Sequence, residues 1–475
     1  MHLLIQRRMH VLLFSVSLLL ITLADAFTVT PTYILRRVHA LSTSGSSLSD
    51  RISSRNSNSN RIFDDGTYQS IQDIMSSSFD FFITMVDTTS TDNRKNRFYY
   101  QCFPPSGERR HHHMPIRDLA AAWDATKAIA FFNDDDDDDT LGCDPQRRHV
   151  LRQAIHGTLQ AYTYNDIAIV GRSPGGVALD PKVLQEPANI AHSALLIMAA
   201  IGDLKLSLLH DDHHPENHAS SIDIDINGLV RGILSMQRPT DGAFYTEYGT
   251  TDGEDGIYYG IDFFPGEAML ALMDAYECSE QREGLLEVAT RQAILPSMER
   301  AYMFYCDYYH EGGEDVNVNY NIWQIQACAR FFDVLQRRRS SGGTRSDDQA
   351  RLMADHILHM SQDIVESSAW KYQLSRGKSF YRNINTIEIA CGLDALADGI
   401  RIALAVGVTT EEEQQVLALF QRNARNAVDF FEWAQQLVPP DSPAGQGGFG
   451  MGGVIVLEQR LDVTGHDVIS ALLSK

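Results

Sequence analysis

Residues 236–276 read MQRPTDGAFYTEYGTTDGEDGIYYGIDFFPGEAMLALMDAY. Up to Gln237 the pattern is that of an amphipathic helix beginning near Ile226. Pro239, Asp241-Gly242 and the glycines at 249, 253, 256 and 260 then mark a long turn-rich loop. Pro265 sits where proline suits a first helical turn, and Ala268–Tyr276 is apolar on every side, which places that helix inside. A polar, aromatic loop that delivers the chain onto a buried helix is the unit from which the rest of the sequence is read.

Beyond residue 66 the dominant period is helical, with no convincing alternating strand. The helices are of two kinds. Val416–Leu437 is amphipathic, with Arg422, Arg425, Asp429 and Glu432 opposite its apolar stripe. Ile71–Val86, Arg147–Tyr162, Ile226–Gln237, Leu285–Tyr309 and Ala350–Ile364 read the same way. Ile190–Ile201 is apolar nearly all round, as is Ala268–Tyr276, and Leu119–Phe132, Ile322–Leu335, Ile384–Ala405 and Val463–Leu473 group with them. The two kinds alternate along the chain as a loose repeat of roughly 60 to 80 residues. The expected fold is all-α, a single (α/α)6-type toroid over residues 66–475, with inner helices wrapped by outer ones. An open helical solenoid is the competing arrangement. Closure is favoured by the apolar inner helices and by the last segment, which has an outer partner only if the N-terminal helix returns.

The loops are unequal. Inner-to-outer connections are low-complexity filler, among them the Asp134–Asp139 run. Outer-to-inner connections carry Tyr, Trp, Gly, Arg and carboxylates, and in a toroid they share one rim, where a ligand would bind. On that rim Asp262, Glu267 and Asp241 are the candidate catalytic carboxylates. Paired carboxylates beside aromatic rings suit glycoside chemistry, one acid donating a proton and one acting as base or nucleophile. His192, Tyr259, Trp323, Trp370, Arg382 and His466 are candidate substrate-binding residues. Each also has a structural reading: Asp262 and Glu267 as helix-end charges, His192 as a satisfied buried histidine, Trp323 as core.

The chain carries a net charge of −22. Seven Arg and two Asp give residues 1–62 a net +5, which leaves −27 on the remainder. Such acidity argues against nucleic-acid binding. The six cysteines are scattered and form no CxxC; Cys278, Cys306 and Cys328 fall in helical patterns and read as buried thiols. No Cys/His ligand frame is legible, so neither a metal nor a cofactor is expected. Asp223-Ile224-Asp225-Ile226-Asn227-Gly228 opens like a calcium loop, but its twelfth position is Leu234, where a bidentate Glu is needed. Phosphate-binding glycine loops and a nucleophile elbow are absent from the sequence.

Residues 1–26 have a basic start, an apolar run from Val11 to Leu23 and small residues at Ala24 and Ala26, the pattern of a signal peptide. The run is too short for a membrane span, so the mature protein is expected to hold no membrane segment. Residues 27–62 are Ser- and Arg-rich with Asp50 as their one acid, which is transit-peptide composition.

Two resemblances follow from these residues. The junction Ala24-Asp25-Ala26-Phe27 resembles the bipartite presequence of algae with secondary plastids, implying a plastid destination; secretion or the endomembrane lumen is the alternative. Gln237 with Asp241-Gly242-Ala243-Phe244, and Gln436 with Gly447-Gly448-Phe449, resemble the Q…DGGF/W signature of α/α-toroid repeats. That signature is seen in terpenoid cyclases, protein prenyltransferases and six-hairpin glycosidase-like proteins. Phe264-Pro265-Gly266-Glu267-Ala268-Met269-Leu270-Ala271-Leu272 is similar to the YPGEALLAL helix start of glycosidase-like toroids. A prenyltransferase zinc trio and a cyclase DxDD motif are missing, so the resemblance implies a carbohydrate-active toroid: a hydrolase, lyase or epimerase with an oligosaccharide or polysaccharide as its partner. A non-catalytic toroid binding a glycan or protein is the alternative, and a terpenoid- or prenyl-handling toroid a further one.

Overall fold

The structure is a computed structural model. It describes residues 65–91, 96–104, 106–132, 144–162, 164–166, 176–209, 224–249, 255–312, 318–340, 346–438, 446, 448–449 and 459–460. The signal- and transit-peptide readings of residues 1–62, the predicted helix over 463–473 and His466 lie outside the described residues.

The protein is all-α, with a few very short strands. Eleven helices of ten or more residues occur among the described residues: α1 Asp65–Thr84, α2 Pro115–Phe131, α3 Pro145–Gln160, α4 Ile190–Leu209, α5 Ile226–Ser235, α6 Phe264–Gln281, α7 Val288–Gly312, α8 Val318–Ser340, α9 Ser346–Glu366, α10 Thr386–Val406 and α11 Glu411–Gln435. The expected alternation is present. Helices α2, α4, α6, α8 and α10 bury most of their residues, and each packs on the next of that set in chain order. The amphipathic helices α3, α5, α7, α9 and α11 each turn one face to them. Helix α4 is long and apolar enough to cross a membrane, but 78% of that window is buried inside the protein, which makes it a core helix.

Two boundaries depart from the sequence reading. The helix read over Ile190–Ile201 continues to Leu209. Gly202 does not end α4; a Cβ there would lie 2.1 Å from Thr126 Oγ1, so glycine allows α4 to approach α2. Helix α7 likewise runs to Gly312, three residues beyond the Tyr309 at which the sequence pattern ended it.

Short strands, missed in the sequence, tie distant segments together. β1 (Gln101–Phe103) pairs antiparallel with β2 (Glu108–Arg110), and a second pair joins β3 (Tyr164–Asp166) to β4 (Val177–Leu179). On the other edge of β1 lies β5 (Gln459–Arg460), with Cys102 opposite Gln459. Strands of two or three residues are too short to show a period of two, which is why periodicity did not reveal them.

The chain's two ends also meet through helices. Gln435, the last residue of α11, donates from Nε2 to Ile74 O and Ser78 Oγ of α1, each at 3.2 Å. A fuller version of this clasp joins α5 to α7. Gln237 Nε2 donates to Ser297 O and to Gly242 O, both at 2.9 Å, while its Oε1 accepts from Ser297 Oγ at 2.8 Å and from an Arg300 guanidinium N–H at 2.7 Å. A glycine sits beneath each clasp: a Cβ on Gly242 would meet Arg300 O at 2.5 Å, and one on Gly448 would meet the Phe81 ring at 2.6 Å. At the second clasp the working glutamine is Gln435, one residue before the Gln436 singled out in the sequence.

Candidate functional site

The quoted stretch forms the entrance to α6. Its N-cap is Phe263, which makes no side-chain capping hydrogen bond, and Pro265 occupies the first turn. Asp262 is therefore one residue too early to be the cap. Gly266 lets α6 touch α8, since a Cβ there would lie 2.4 Å from the Trp323 Cβ.

Glu267 follows in the same first turn and is 5% exposed. Burial raises its pKa from 4.5 to about 7, only partly opposed by the positive charge of Arg117 on α2. Its Oε2 accepts no hydrogen bond among the described residues. Desolvation penalises the charged form of a buried carboxyl, so the proton is held to higher pH. Groups in this condition concentrate at functional sites.

The neighbouring helix supplies aromatic and amide groups. Trp323 of α8 stacks on Trp123 of α2 with ring centroids 6.4 Å apart and planes 25° apart. Lys127 Nζ lies 3.2 Å from the centroid of the Trp123 ring, and 3.8 Å from Asp124. Next to Trp323, Gln324 has a buried Nε2 that finds no hydrogen-bond partner among the described residues. Two turns beyond Glu267 on the same stripe of α6 is Asp274, whose charge acts on both Lys127 and Arg330. Glu388, in the first turn of α10, also has its pKa raised by burial.

Aromatic side chains edge the entrance. Tyr258 and Tyr259 are exposed, as is Phe263. Tyr258 faces Tyr308 of α7 at 6.2 Å, and Tyr259 meets Phe264 edge-on at 5.9 Å. The Tyr308 hydroxyl is pushed up by burial and then by the charge of Asp262, which puts Asp262 beside this aromatic wall.

The other residues picked from sequence stand elsewhere or in other roles. Asp241 belongs to the α5–α7 clasp: it is ion-paired with Arg238, accepts from Ala243 N at 3.1 Å, and those bonds lower its pKa. His192 is fully buried in a reciprocal cap. Its Nδ1 accepts from Asn189 N at 3.2 Å, Asn189 Oδ1 accepts from His192 N at 3.0 Å, and His192 Nε2 bonds Glu186 at 3.0 Å. With both ring nitrogens engaged, His192 matches the satisfied-core alternative rather than a free ligand-binding group. Trp370 corrects the expectation of a stacking platform. It is 0% exposed, packed against Gly392 of α10, where a Cβ would lie 2.8 Å from the indole. Arg382 is exposed in the Tyr381–Asn383 turn ahead of α10. Asp262, Glu267, Tyr259 and Trp323 thus lie at or beside the start of α6, whereas Asp241 is held by Arg238 and Trp370 is buried against α10.

Sequence reasoning missed Arg117, Trp123 and Gln324. Trp123 and Gln324 lie mid-pattern in apolar helices, and only helix pairing brings them to α6. It also missed a Cys/His group, since Cys306, His310 and His356 come together between α7 and α9. Compared with protein-family models, curated proteins and solved structures, the chain finds no match in any of the three.

Proposed function

We propose that residues 66–475 form a closed (α/α)6-type toroid and that the protein is carbohydrate-active, a hydrolase, lyase or epimerase using the entrance of α6. Closure is supported by the two places where the chain's ends meet, the Gln435 clasp onto α1 and the pairing of β5 with β1. The catalytic reading rests above all on Glu267, a buried carboxyl whose pKa is lifted to about 7. That group can hand a proton to a glycosidic oxygen at neutral pH, the general-acid half of glycoside chemistry. Asp262, half-exposed in the turn just before the helix, is the second carboxylate, and Tyr258 and Tyr259 present faces on which sugar rings stack. Trp323, packed on Trp123, backs the site.

The same exposed tyrosines support a second reading, a non-catalytic rim that binds a glycan. A screen of plastid and storage polysaccharides for released or altered sugar separates the two. Catalysis requires turnover by the wild type that falls by about 10²–10⁴ in Glu267→Gln and also falls in Asp262→Asn. Glycan binding without turnover favours the second reading. The presequence pattern further leads us to place the protein in a plastid, which a fluorescent fusion of residues 1–62 tests by its destination.

A further inference from the structure

We propose that Cys306, His310 and His356 bind a zinc ion between α7 and α9. Cys306 and His310 are four residues apart on α7, so their side chains leave the same face. His356 comes from the facing side of α9. Cys306 Sγ lies 3.8 Å from His356 Nδ1, and the three donor atoms are all within 4.8 Å of one another. Tetrahedral zinc with its usual bond lengths sets a sulfur and a nitrogen ligand about 3.6 Å apart. The Cys306–His356 pair is already near that edge length, and His310, on the exposed side, closes the triangle by a side-chain adjustment. One thiolate and two imidazoles form a borderline-soft donor set that suits zinc and disfavours calcium or magnesium.

The surroundings hold His356 ready to bind. Tyr302 and Tyr309 pack edge-on against its ring, at 5.9 Å and 75° and at 5.0 Å and 82°. The Tyr309 hydroxyl donates to Asp363 in turn. These two rings confine the orientation of the His356 imidazole. The competing explanation, a thiol-to-imidazole hydrogen bond that joins two helices, gives the exposed His310 no part. Three protein ligands leave one coordination position open, the arrangement in which zinc keeps a water or takes a small ligand.

The experiment uses the full chain without an added histidine tag, stripped with chelator, reloaded with zinc and assayed for bound metal by atomic emission. The proposal expects one zinc per chain. It also expects a thiolate-to-metal charge-transfer absorption when cobalt(II) replaces zinc, lost in Cys306→Ser. His310→Ala, at an exposed position that leaves the fold intact, should weaken zinc binding by about tenfold or more. Failure to retain zinc above the chelated blank would overturn it. So would zinc binding unchanged in both variants, which would assign the metal to other histidines.

Discussion

Gln237 and Ser297 exchange two hydrogen bonds across the α5–α7 contact: the glutamine Nε2 donates to the serine carbonyl at 2.9 Å, and the serine hydroxyl returns a bond to Oε1 at 2.8 Å. With Gly242 O and Arg300 as further partners, both amide hydrogens and both lone pairs of Gln237 are used. Replacing this side chain leaves several buried groups without partners, so Gln237→Ala should lose about 2–3 kcal/mol in urea unfolding. Gln237→Glu should lose at least as much, because an oxygen would then face the carbonyls of Gly242 and Ser297. A loss under about 0.5 kcal/mol, the usual range of a surface change, would mean that the clasp does not hold these helices.

Gly266 is predicted to tolerate no side chain. A Cβ 2.4 Å from that of Trp323 must push α6 away from α8, and overpacking of this kind costs about 1–3 kcal/mol. Gly284→Ala is the control, since its Cβ would meet nothing within 4 Å and its cost would come only from a φ of +86°. Gly266→Ala should also disturb the near-ultraviolet circular dichroism of Trp323 and Trp123, and Gly284→Ala should not.

Glu267 makes stability depend on pH in a definite direction. Its pKa is about 7 when folded against an ordinary 4.5, so between those values the folded state holds a proton that the unfolded state has released. Stability contributed by this group therefore falls as pH rises from about 4.5 to 7, and the full cost, about 3 kcal/mol, is present above pH 7. Glu267→Gln removes the titration, so its advantage over wild type in thermal unfolding should be larger at pH 8 than at pH 5. A difference that does not vary with pH would contradict the assignment.

Asp241 should behave unlike Glu267. Its carboxylate is occupied by Arg238 and Ala243 N, so Asp241→Asn should change stability by about 1 kcal/mol or less and leave any turnover on sugars intact. Loss of turnover in Asp241→Asn with the fold preserved would place the chemistry at the clasp instead.

Helix kinds and their alternation were legible because burial imposes a period on the sequence. Helix ends were less so: the apolar pattern over Ile190–Ile201 ends short of Leu209, and Gly202 is a close-approach residue against Thr126 inside α4. Pro265, Gly266 and Glu267 were legible as a helix start, since proline and an acid in the first turn are local signals. The environment of Glu267 was not, because Arg117 and Trp323 are brought to the start of α6 by which helices become neighbours. His192 was open to two readings in the sequence, a rim ligand or a satisfied buried histidine, and only its neighbours Asn189 and Glu186 show how it is held. Cys306 and His356, 50 residues apart, show nothing until α7 and α9 are side by side.

Glu267 is the proposed proton donor, and its burial should keep a large share of it protonated at neutral pH. Glutamate labelled with carbon-13 at the side-chain carboxyl allows each such group to be titrated by NMR, with Glu267→Gln assigning the signal. One resonance with a midpoint about 7, absent from the variant, is expected. If the Glu267 resonance titrates with the exposed glutamates near the ordinary 4.5, Glu267 is ionised at neutral pH and the proposed proton donor is lost.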